Sequence, residues 1–130
     1  FFQNKSDKWN VYVAELLHNK TPHIKHELYI FDKIVHEGKQ LIDMTFEDRH
    51  NLLLSEWDHV EEADQHRVNK HITVAKNFTK GFRNLYDTLK PEDEGLVLKD
   101  PKSKLKPCLR EKSNSGWQVK CRIIHKNYGF

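Results

Sequence analysis

A chain of 130 residues can fill one hydrophobic core well and is too short for two. Hydrophobic residues at 37%, aromatics at 11% and charged residues at 32% exclude a disordered chain, and no run approaches the ~20 apolar residues of a membrane span. The net charge of +3 leaves 22 basic residues nearly matched by 19 acidic ones, so composition admits an anionic partner without specifying one.

In chain order, residues 9–18 (WNVYVAELLH) and 26–35 (HELYIFDKIV) are rich in β-branched and aromatic residues around a polar link with Pro22. They read as two paired strands. Apolar side chains on both faces of each predict strands inside a covered sheet. Gly38 in HEGK marks a turn leading to Gln40 to Ile42. Thr45 followed by Asp48 resembles a capping box, predicting a helix of about three turns whose Phe46, Leu52, Leu53 and Leu54 lie on the sheet.

Residues 58–70 lack periodicity and read as a surface connection, whereas 71–78 (HITVAKNF) restore a strand pattern. Phe82, Leu85, Tyr86 and Leu89 follow helical spacing and predict a short helix stopping before Pro91. A strand over Glu94 to Leu98, an exposed loop over 100–116 and a strand from Trp117 to Ile124 complete the pattern. The expected fold class is α+β, with mainly antiparallel sheets and flanking helices.

Lys99, Lys102, Lys104, Lys106, Arg110, Lys112, Lys120, Arg122 and Lys126 crowd the C-terminal end, so that end should face an anion. Lys120 and Arg122 are two apart and leave one face of a strand. Glu94 opens an apolar strand beside Gly95, whose missing Cβ leaves room for a ligand. A Lys-x-Arg pair alone is a solvated sheet edge. A carboxylate strand followed in order by a paired-cation strand points to a metal-bound nucleotide phosphate, and to phosphoryl or nucleotidyl chemistry.

Cys108 and Cys121 lie in no CxxC or Cys/His spacing, and the nine histidines show no HxH or HxxxH, so neither a disulfide framework nor a zinc site is indicated. Glu15 stands in an apolar strand, where a carboxylate is costly unless paired or metal-bound. Arg49 reads as structural, a surface ion pair on the helix. Trp117 reads as packing.

Four ordered motifs carry a resemblance: Glu15 in VYVAELL to a DGEL strand, LYIFD at 28–32 to YxxFD, EGLVLK at 94–99 to a metal-binding strand, and VKCR at 119–122 to KxK. The spacer KDPKSKLKPCLREKSNSGW fits the same order. The sequence resembles the covalent nucleotidyltransferase superfamily and, within it, the ATP-dependent DNA ligases. That resemblance implies a partial nucleotidyltransferase (ATP-grasp-like) domain, with 1–130 the C-terminal portion of an adenylation domain and no OB-fold domain. It implies that Phe31 stacks on adenine, Glu15 lies near the ribose or a metal, and Glu94 holds Mg2+ or Mn2+. Lys120 and Arg122 would contact the α-phosphate as catalytic residues, Lys99 would face phosphate, and Arg110 and Lys112 would meet nucleic acid. ATP or AMP and nicked DNA (or RNA) are the implied partners of a monomeric, intracellular repair or replication enzyme, cytoplasmic, or nuclear if eukaryotic, and of cellular or viral origin.

Val13 and Ala14 depart from the Asp-Gly of DGEL, and no KxDG occurs in the chain. With Phe1-Phe2 at the start and Met44 the only methionine, a fragment is expected, its nucleophilic lysine upstream and the fragment inactive alone. An RNA ligase, an mRNA capping nucleotidyltransferase, or a non-catalytic nucleotide- or nucleic-acid-binding remnant are the alternatives.

Overall fold

The computed structural model describes residues 7–17, 26–57, 61–62, 66–91, 93–105 and 116–124. Two compact units emerge, the first from residues 1–76 and 101–107, the second from 77–100 and 108–130.

In the first unit, β1 (Val11–Leu17) pairs antiparallel with β2 (Glu27–His36), as the β-branched and aromatic content predicts. The pairing is not uniform. Ala14 sits opposite Ile30 and Val13 opposite Asp32, so Phe31 is an extra residue on β2, and a second shift leaves Ile34 extra. At the far end of β2, Glu37 and Gly38 both have positive φ, +47° and +80°, the requirement of a two-residue hairpin turn into β3 (Lys39–Gln40).

The helix α1 (Phe46–Ser55) forms where predicted. Thr45 is its N-cap, with Oγ1 accepting the Asp48 N–H at 3.2 Å. Two further N-terminal donors find partners far along the chain, Phe46 N–H on the Ser103 carbonyl at 2.8 Å and Glu47 N–H on that of Pro101 at 3.1 Å. Beside them Thr45 and Lys104 form an isolated antiparallel bridge. The buried stripe is Phe46, Arg49, His50 and Leu53, with an arginine where the spacing alone suggests only apolar groups.

Beyond α1 the sheet continues through β4 (Glu61–Glu62), β5 (His66–Asn69) and β6 (Ile72–Val74), giving the order β1-β2-β6-β5-β4. β6 runs parallel to β2, the one parallel pairing among the described strands of a mainly antiparallel arrangement. A parallel neighbour needs a crossover, and α1 lies within it. Residues 66–69, expected as connection, are strand, and the strand expected over 71–78 shrinks to three residues. Ile30, Leu53, Ile72 and Val74 form the core, with Tyr12, Ala14, Leu28, Leu54, Trp57 and Val68 packed against it. β1 is less covered than its apolar content predicts, with Val11, Glu15 and Leu16 exposed, since no further described strand lies beyond it.

In the second unit, α2 (Phe82–Asp87) ends earlier than expected and buries none of its residues. β7 (Gly95–Lys99) and β8 (Gln118–Arg122) form an antiparallel pair, extended by Ile123 N–H to the Glu94 carbonyl at 3.0 Å and Asp100 N–H to the Trp117 carbonyl at 2.8 Å. The Tyr86 hydroxyl donates to the Arg122 carbonyl at 2.8 Å and ties α2 to β8.

Candidate functional site

The β7–β8 register decides which side chains act together. Gly95 faces Arg122, Val97 faces Lys120 and Lys99 faces Gln118. Alternation along each strand therefore puts Lys99, Lys120 and Arg122 on one face of the pair, and Leu96, Leu98, Val119 and Cys121 on the other. Spacing predicts the Lys120–Arg122 pair, and the register adds Lys99. Lys120 and Arg122 are exposed, while Lys99 Nζ lies 5.8 Å from the centroid of the Trp117 ring, within cation–π range. Trp117 is half-buried, with its ring beside that cation.

Glu94 is exposed at the head of β7. Gly95 serves a different purpose from the one expected. Its φ is +141°, and a Cβ there would sit 2.1 Å from the Cys121 carbonyl oxygen and 2.8 Å from the Arg122 Cα. The space is filled by the neighbouring strand, so the glycine permits strand pairing beside Glu94 and leaves no gap for a ligand.

Glu15 and Phe31 belong to the first unit. Glu15 lies exposed on β1 opposite Tyr29, and half-buried Phe31 is the extra residue of the β2 register shift. Arg110 and Lys112 lie outside the described residues. Among the described residues no group of three or more His, Cys, Asp or Glu side chains gathers to hold a metal. Mg2+ is commonly held by one or two carboxylates together with substrate phosphates, and the exposed carboxylate of Glu94 is a donor of that type.

Two ionic groups on β2 were not legible as such. Arg49, expected at the surface, is fully buried, and its Nε and Nη2 each lie 2.9 Å from the Asp32 carboxylate oxygens that accept them. Lys33 is also buried and pairs with the carboxylate of Glu56, the α1 C-cap. Its Nζ lies 2.8 Å from His36 Nδ1 and 4.8 Å from the Tyr12 ring centroid, while the Tyr12 hydroxyl donates to Glu56 at 3.0 Å. Burial draws the Lys33 ammonium down to about 8 against the opposing pull of Glu37. Burial, and then the Lys33 charge, lower His36, while burial raises Tyr12. The signal was present in the sequence: charged residues inside an apolar strand or stripe require partners.

The profile of the ATP-dependent DNA ligase domain matches residues 2–120. The chain belongs to that family. Within this ligase domain the match takes in Glu15, Phe31, Glu94, Lys99, Arg110, Lys112 and Lys120 and stops short of Arg122. No curated protein and no solved structure matches the chain. Among the described residues of the ligase domain, no helix is long and apolar enough to cross a membrane.

Proposed function

We propose that these residues form the later part of the adenylation domain of a ligase that seals nicks in DNA, with a nucleotidyltransferase fold, and that they supply the wall holding ATP and its divalent cation. The observation that carries the reading is the alignment of Lys99, Lys120 and Arg122 on one face of β7–β8, headed by Glu94, in a chain of the ATP-dependent DNA ligase family. Lys120 and Arg122 offset the charge that grows on the α-phosphate as it is attacked, and Lys99 meets the outer phosphates. Phe31 offers a flat face to the adenine, and Glu15 lies near the ribose or a cation. Glu94 provides an oxygen for Mg2+ or Mn2+, which when bound neutralises phosphate oxygens.

The reaction this wall would serve has three steps: AMP transfer from ATP to a lysine with loss of pyrophosphate, AMP transfer to a 5′-phosphate, and attack by a 3′-hydroxyl that releases AMP. Since the sequence holds no KxDG, the attacking lysine is read as lying outside these 130 residues, and the chain alone is expected not to adenylate itself.

The test is to read the coding sequence around these residues for KxDG and to incubate the full translated chain with Mg2+ and either radiolabelled ATP or, in parallel, radiolabelled GTP. A base-stable, acid-labile lysine–AMP that is consumed by nicked DNA is expected, and Glu94→Ala should abolish it. A full chain without the motif, or transfer of GMP in place of AMP, would sink the ligase reading. An unchanged yield in Glu94→Ala would remove Glu94 from the cation site.

A further inference from the structure

Phe31 is the extra residue of a register shift between β1 and β2, because Ala14 takes Ile30 and Val13 takes Asp32. A bulge of this kind re-aims a side chain and disturbs the local ladder, so something must hold the new backbone path. The Asp32 carboxylate does so. It accepts the Lys33 N–H at 2.8 Å on Oδ1, the same oxygen that receives Arg49 Nε, while Oδ2 receives Arg49 Nη2. The other arm of the guanidinium, Nη1, donates to the Met44 carbonyl at 3.0 Å, immediately before the Thr45 cap of α1. One side chain therefore pins the residue after the bulge to the start of the helix.

Burial makes this arrangement demanding. Arg49 is 0% exposed and Asp32 4%, so neither charge has water to fall back on, and only the bidentate fork satisfies both. A lysine would keep the charge and lose the fork.

We propose that Arg49, acting through Asp32, is a positioning residue that fixes the bulge at Phe31 and thereby the orientation of the aromatic face presented to the adenine. The inference rests on Phe31 being the adenine platform. A pair that only stabilised the fold would lower the amount of folded protein and leave nucleotide affinity intact in every molecule that folds. A positioning pair changes the affinity itself.

The experiment measures KM for ATP and kcat of adenylation in the full translated chain for the wild type, Phe31→Ala, Arg49→Lys and the double variant. Loss of base stacking in Phe31→Ala should raise KM about tenfold. Arg49→Lys should raise KM in the same direction with kcat little changed, and adding it to Phe31→Ala should raise KM no further. Amide exchange at Lys33, read separately in the 130-residue chain, should quicken in Arg49→Lys. A wild-type KM in Arg49→Lys, or effects that multiply in the double variant, overturns the positioning role. An unchanged KM in Phe31→Ala is a different failure, since it removes adenine from Phe31 whatever Arg49 does.

Discussion

The buried ammonium of Lys33 should write itself into the pH dependence of stability. In an unfolded chain this lysine titrates near 10.5, whereas in the fold burial lowers it to about 8. Between those values the unfolded state binds the proton and the folded state does not, so stability rises with pH across that window. Below about 8 both states are protonated and the cost of burying the charge is complete, while above 10.5 both are neutral and it vanishes. The fall from 10.5 to about 8 corresponds to about 3 kcal/mol. Lys33→Met keeps the length of the side chain and removes the titration. The assay is urea unfolding of wild type and Lys33→Met at pH steps from 7 to about 11, with the difference between the two curves as the readout. Taking the difference cancels the other lysines and the tyrosines away from the site, leaving Lys33 and its neighbours Tyr12, His36, Glu37 and Glu56. The wild type should gain on the variant by up to about 3 kcal/mol through the window. A difference that stays flat, or slopes the other way, would refute a desolvated Lys33.

Three further outcomes are expected. Leu53→Ala, at a fully buried core position, should cost about 2–5 kcal/mol in chemical denaturation, whereas Leu52→Ala on the half-buried side should cost less. Thr45→Ala removes the α1 cap and should cost about 1 kcal/mol by the same measurement. Gly95→Ala drives a Cβ into the Cys121 carbonyl and should part β7 from β8, seen as faster amide exchange in both strands with the first unit's exchange unchanged. Slow exchange in that variant would mean the strands do not approach as described.

Much of the sheet was legible because β-branched and aromatic runs mark β1, β2, β7 and β8. Thr45 and Asp48 announced α1 through local chemistry. What was not legible depended on partners far away in sequence. Nothing within LYIFDKIV says that Asp32 meets an arginine 17 residues on, or that Lys33 meets Glu56. The parallel pairing of β2 with β6 follows from a crossover rather than from either strand's composition, and polar β5 carries no apolar alternation to reveal it. At the candidate site, spacing alone placed Lys120 with Arg122, but Lys99 joins them through cross-strand register, which one strand's sequence does not contain. Gly95 was misread for a related reason: a missing Cβ shows that something comes close, and the sequence does not say what.

The carbonyls of Pro101 and Ser103 that finish α1 have a consequence for synthesis. Made from its N-terminus, the chain completes the residues of α1 well before it produces the segment that caps them. Between the two lies the excursion of residues 77–100 into the other unit. On the ribosome the helix would wait half-finished, holding Arg49 near Asp32 with its first turn frayed, until Ser103 emerged. At on the order of 5–20 residues per second, synthesis is far slower than either local helix formation or loop closure. The late arrival of the segment that carries Pro101 and Ser103, rather than the forming of the sheet, would then time the maturation of the first unit.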